Sequence, residues 1–126
     1  GKKVWFSPWS PQFMRWAWMD SEENLAERFK LIPEDIDVIV THSPPFGAGD
    51  ALGLDATKYG LRVGMRVGSK ALAERMIELG KLGIVVCGHI HEGRGCHMLG
   101  GVKVLNVASV DGDYVAYKNR WMVIDW

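Results

Sequence analysis

The sequence holds no apolar run near the roughly 18–20 residues a bilayer-crossing helix needs, which argues against a helical span and a membrane partner. No signal-peptide pattern is legible in it. Charge of one sign is also missing: fifteen Lys and Arg balance fifteen Asp and Glu, so no global field favours nucleic acid. Cysteine is scarce. The two present, Cys87 and Cys96, make no disulfide framework; they read as a small buried apolar residue and a loop thiol in a reducing, cytoplasmic setting. There is no Gly-x-Ser-x-Gly elbow, no phosphate-binding loop and no dinucleotide fingerprint, and with them go the chemistries those motifs serve. No repeat, low-complexity tract or linker divides the 126 residues, which suffice for one domain, 1–126, with one modest core. The chain opens on Gly1 rather than Met, so a processed product or a piece of something longer is expected.

What is present alternates. Val4–Phe6 reads as a strand, followed by an extended Ser7–Pro11 segment whose two prolines exclude helix. Trp5, Trp9, Trp16 and Trp18 crowd the first eighteen residues and read as an aromatic minicore or lid, or as a ligand-stacking platform. Asp20 or Ser21 caps a helix with acids in its first turn, apolar at Leu25, Phe29 and Ile32 and ended by Pro33. Ile36–Thr41 is a buried strand that delivers His42 into a rigid Pro44-Pro45 exit. A long glycine-rich loop follows over 47–66. Gly68-Ser69 then caps a helix over Lys70–Leu79 with Gly80 past its end. Leu82–Cys87 and Val102–Ser109 read as strands, and 114–117 with 121–126 as a closing antiparallel pair around 118–120. The order of elements predicts an α/β layered domain.

The chemistry centres on Cys87-Gly88-His89-Ile90-His91-Glu92-Gly93-Arg94. In an extended segment, side chains at i and i+2 share a side about 6.5–7 Å apart, so two imidazoles leaving a strand can serve one metal or two adjacent ones. Gly88 and Gly93 let the backbone turn around them. His42 alone is more often a satisfied hydrogen-bonding side chain than a ligand. Glu92 reads as a ligand, a group that orients one, or a solvated acid. Arg94 is a candidate phosphate contact or a surface arginine. Asn106, at a strand end, is a candidate ligand contact or a turn-former.

Taken together, Asp37–Pro45 with its Thr41-His42-Ser43-Pro44-Pro45 block, and Gly88-His89-Ile90-His91-Glu92-Gly93, resemble the calcineurin-like metallophosphoesterase superfamily. The wording is closest to its small phosphodiesterase branch of the brain 239 protein type. Ser7-Pro8-Trp9, Phe13 and Trp16-Ala17 match its earlier block, and Asn106 to Ser109 its later one. The resemblance implies a two-sheet β-sandwich flanked by helices (four-layer αββα when complete), of which this chain is the C-terminal part. It also implies a binuclear site: His42 and His89 would ligate one metal and His91 the other, with Arg94 and Asn106 near the substrate. Two divalent ions, manganese ahead of iron, zinc or nickel, would clamp a phosphoryl group and generate the attacking hydroxide. Asp-x-His, Gly-Asp-x-x-Asp and Gly-Asn-His motifs of the superfamily do not occur here.

The resulting expectation is a phosphoesterase acting on a phosphodiester or nucleotide-type small molecule. It would need the N-terminal half of the domain, from a longer product or a complementing chain. The rival from another class is a catalytically degenerate domain kept as a binding or assembly module. A third reading is a one-metal structural site of His89 and His91 with an acid such as Glu92.

Overall fold

A computed structural model describes residues 1–119 and 121–123. Strands β1 (Val4–Ser7), β2 (Ser10–Pro11) and β3 (Met19–Asp20) lead into helix α1 (Glu22–Phe29). Strand β4 (Val38–Thr41), a 3-10 turn (Leu54–Tyr59), helix α2 (Lys70–Leu79), strand β5 (Ile84–Cys87) and a second 3-10 turn (His91–Gly93) follow; β6 (Gly95–Leu99) and β7 (Val102–Asn106) are the last strands among the described residues. The main sheet has the order β1-β4-β5-β7-β6, parallel throughout except for the β6–β7 pair. Among the described residues, a second sheet consists of β2 and β3. The expected α/β class is what forms.

Each helix starts where its cap dictates. The Ser21 hydroxyl accepts from the Asn24 N–H, and the Ser69 hydroxyl from the Leu72 N–H, satisfying donors that the first turn leaves open. Glu22 does more than favour its own helix dipole: its carboxylate also accepts from the Ser69 hydroxyl and the Lys70 and Ala71 N–H groups. One acid in the first turn of α1 therefore closes the start of α2, fixing the two helices side by side. α1 stops at Phe29, and a further turn carries Ile32 into the core before Pro33. Gly80, at φ +60°, ends α2.

The core lies between these helices and one face of the sheet. Leu25, Phe29, Leu72, Met76 and Leu79 meet Ile39, Val85, Cys87, Val102 and Val104. Burying such side chains contributes about 1.5–3 kcal/mol each. The alternate strand positions Val38, Ile84 and Leu105 form a smaller cluster on the opposite face, which is why the strands read as unbroken apolar runs.

Two expectations change. Gly95–Leu99 is a strand, paired antiparallel with β7, so Cys96 is a sheet residue rather than a loop thiol, with His97 beside it in the same strand. The closing hairpin does not form over the described residues: 114–117 keeps only one bridge, Val110 to Ala116, and 121–123 has no strand. Position 120 and positions 124–126 of that expected pair lie outside the described residues. The cause is local. The Asp111 carboxylate accepts from the Asp113 and Val115 N–H groups, folding the segment into a tight turn with Tyr114 at φ +61°.

Candidate functional site

Because β1, β4, β5 and β7 run parallel, their C-terminal ends lie along one edge, the place where α/β sheets receive ligands. The backbone ladder continues one residue past the strands. His42 N–H donates to the Ser7 carbonyl at 3.1 Å, Gly88 N–H to the His42 carbonyl at 2.9 Å, and Val107 N–H to the Cys87 carbonyl at 2.7 Å. Register therefore sets His42 directly against the turn that carries His89. Their ring centroids are 4.6 Å apart.

The double-histidine segment is not extended as the spacing argument assumed. β5 ends at Cys87, His89 takes a left-handed backbone with φ +65°, and His91 opens a 3-10 turn. A left-handed conformation is unfavourable for a residue with a Cβ and persists only where neighbours enforce it. Here the Gly88–His42 bond on one side and the Asn106–Ile90 bond on the other enforce it. The consequence is divergence: His89 lies against His42 and, at 6.4 Å, Trp16, whereas His91 lies edge-on to Tyr114 at 5.1 Å. Gly88 has no positive φ, so it is His89 that makes the turn.

Gly93 is required for space rather than for freedom. A Cβ there would sit 2.0 Å from the Gly49 carbonyl oxygen and 2.9 Å from Asn106 Nδ2. Asn106 is fully buried, and its amide ties three segments together: Nδ2 donates to the Gly49 carbonyl (2.9 Å) and the Ile90 carbonyl (2.8 Å), and Oδ1 accepts from Ala108 N–H (3.0 Å). Asp50 plays the same part next door. Also fully buried, it accepts from the Gly47 and Gly68 N–H groups and from Arg66 Nη1.

Burial, then the neighbouring His42 and His91 rings, holds the His89 imidazole down to about pKa 4. Desolvation also lowers His42. Loss of solvation disfavours the charged imidazolium, so His89 is neutral at pH 7 with a ring nitrogen free to accept a hydrogen bond or coordinate. The Glu92 carboxyl lies above its usual range, through desolvation and then its hydrogen bond with the Asp55 carboxyl. Burial pushes the Cys87 thiol up to about 12, with the Asp50 charge adding to it. That makes Cys87 an inert core residue.

His89, His91, Glu92 and Asp55 open on a cavity of about 390 Å³ whose apolar wall includes Phe13, Trp16, Tyr59 and Tyr114. Phe13, Trp16 and Tyr59 pack edge-to-face on one another, 5.2–6.4 Å apart. The tryptophans thus divide. Trp5 and Trp9 pack on the core, Arg28 lies 3.6 Å over Trp9, and Trp16 reaches the histidines. Arg94 and Asn106 do not line the cavity. Arg94 donates to the Ala108 and Asn119 carbonyls and lies over the Tyr117 ring, which secures the turn behind the histidines.

Sequence reasoning missed Asp50 and Arg66, the latter a cavity-lining cation. The signal was a single acid embedded among glycines just after the Pro44-Pro45 exit; no periodicity links it to an arginine sixteen residues on. Among the described residues, no three His, Cys, Asp or Glu side chains gather closely enough to hold a metal ion. The donor set fits such an ion in part: His42 and His89 are paired, fewer than the three protein ligands of an open catalytic site. No helix of the described residues is long and apolar enough to cross a membrane.

A scan of protein-family models gives no match. Among curated proteins, the chain is similar to a UPF0046 protein of Caenorhabditis elegans, 30% identical over 126 residues, covering 99% of this chain and 29% of that protein. It is also similar to metallophosphoesterase domain-containing protein 1 of Homo sapiens, 31% identical over 115 residues, or 90% of this chain and 33% of that one. A second Caenorhabditis elegans UPF0046 protein is 27% identical over 111 residues, 88% of this chain and 38% of its own length. The chain thus spans about a third of the length of the relatives it matches. Similarity over nearly the whole chain, together with this α/β sheet, supports kinship with the metallophosphoesterase-like family.

Proposed function

We propose that residues 1–126 form one unit carrying the C-terminal half of a metal-dependent phosphoesterase site, which hydrolyses a phosphodiester or nucleotide-type substrate. The observation that carries this reading is the meeting of His42 and His89, from two different strands, at the ligand-receiving edge of a parallel sheet. His42 and His89 would hold one divalent ion and His91 would contribute to a second, manganese being favoured. Such ions supply the positive charge that phosphoryl transfer needs when they are bound. The chain's own residues orient and shelter. Asn106 and Gly93 hold the histidine turn in place, and Phe13, Trp16 and Tyr59 keep water from one side of the cavity. Two adjacent imidazoles are too few for a tight site, so the remaining ligands would come from the N-terminal half of the domain.

The test joins this chain to that half and measures manganese stoichiometry and turnover of bis(4-nitrophenyl) phosphate. Close to two ions per complete site are expected, with His89→Ala abolishing turnover by at least about a thousandfold, the scale of losing a preorganised electrostatic centre. The module reading is favoured instead if the complete protein binds no manganese and turns nothing over.

A further inference from the structure

We propose that Arg66 is the residue that grips an anionic oxygen of the phosphoester in this cavity. The inference rests on the phosphoester reading of the same site and adds a residue to it. Arg66 lines the cavity together with His89 and His91, and no other Lys or Arg of the described residues does. Two carboxyl groups, Asp55 and Glu92, line it as well and repel an anion. A phosphoester entering there needs a cation, and Arg66 is the one in place.

Its anchorage suits the task. Nη1 donates to Asp50 Oδ1 at 2.7 Å, while Asp50 Oδ2 is held by Gly47 N–H at 3.0 Å and Gly68 N–H at 3.1 Å. The acid is fully buried and the arginine side chain 47% exposed. A guanidinium has five N–H donors in a fixed plane, and among the described residues no acceptor besides Asp50 takes any of them. The remaining donors suit two phosphoryl oxygens, and the bond to Asp50 restrains the guanidinium before the ligand arrives. Arg94 differs on every count: it lies outside the cavity, and two backbone carbonyls occupy its terminal nitrogens.

The experiment measures equilibrium binding of phenyl phosphate and of phenol to the full chain, in EDTA at low salt, by titration calorimetry or amide chemical shifts. The wild type is expected to hold phenyl phosphate about tenfold or more tighter than phenol, the scale of a charge-assisted fork. Removing Arg66 alone would leave Asp50 buried and unpaired, so the variant of choice is Asp50→Asn with Arg66→Ala. It should lose the preference while phenol binding stays within about twofold. Arg66→Lys keeps a charge opposite Asp50 but not the fork, and should bind phenyl phosphate about threefold to tenfold more weakly than wild type. Should the double variant fail to fold, Arg66→Lys decides alone. An unchanged affinity in whichever variant decides, or no wild-type preference for the phosphate, overturns the proposal. The two readings separate cleanly. Phosphate binding through Arg66 without manganese in the complete protein sinks only the metal site, and manganese with no Arg66 effect sinks only this one.

Discussion

The helix-covered face of the sheet and its C-terminal edge are built on opposite plans. The face is redundant: Leu25, Phe29, Leu72 and Met76 share a core in which each contact has many neighbours. The edge depends on single polar groups, each fixing several backbone atoms at once. Asn106 ties Gly49, Ile90 and Ala108, Asp50 ties Gly47, Gly68 and Arg66, and Gly93 lies against the Gly49 carbonyl. The difference shows how an irregular loop cluster can hold a left-handed histidine: few contacts, but none of them replaceable by a mere apolar equivalent.

The sharpest way to break this contrast is Gly93→Ala. One methyl group would need the Gly49 carbonyl to move, so a loss of about 3 kcal/mol or more is expected in urea melts, large for a single added carbon. A loss under about 1 kcal/mol would mean the edge yields as easily as a surface loop. Next comes a matched pair. Leu72→Ala should cost about 2–5 kcal/mol and lower hydrogen-exchange protection across the whole sheet. Asn106→Ala, leaving two buried carbonyls without their donor, should cost about 2–3 kcal/mol and free mainly the loops at Gly49 and Ile90. Equal loss of protection everywhere in both variants would erase the distinction.

The pH dependence sharpens it further. His89 is held down to about 4 in the folded chain against an ordinary 6.5, so the unfolded chain takes up the proton first. Its contribution is complete above pH 6.5, declines as pH falls toward 4 and is gone below that. At pH 5 the loss is roughly 2 kcal/mol, and His89→Ala should flatten that part of the curve. A wild-type stability that is level from pH 7 to 4.5 would show that the ring is not desolvated. The smallest effect separates ring from backbone. His89→Gly and His89→Ala both remove the imidazole, but only glycine relieves the left-handed φ, so it should be the more stable by about 1 kcal/mol.

Legibility followed the same division. The caps at Ser21 and Ser69, the stop at Gly80 and the apolar runs ending at Thr41 and Cys87 were readable because each follows from nearest neighbours along the chain. Gly95–Leu99 was not, since its glycine, cysteine and histidine carry weak strand preference and only pairing with β7 makes it a strand. The histidines at 42 and 89 were identifiable as candidates by type and position. Their separation in space was not, nor was the left-handed turn between Gly88 and Ile90.

By itself the sequence determined the alternation of strands and helices and the family resemblance, because periodicity and short ordered motifs are local properties. Tertiary structure alone decided that Asn106 and Asp50 are buried tie-points, that Arg66 rather than Arg94 lines the cavity, and that His89 and His91 look toward different neighbours. The physical reason is that a polar side chain's role depends on which unsatisfied backbone groups are brought within hydrogen-bond reach. Residues tens of positions away supply those groups, and only the packed sheet places them.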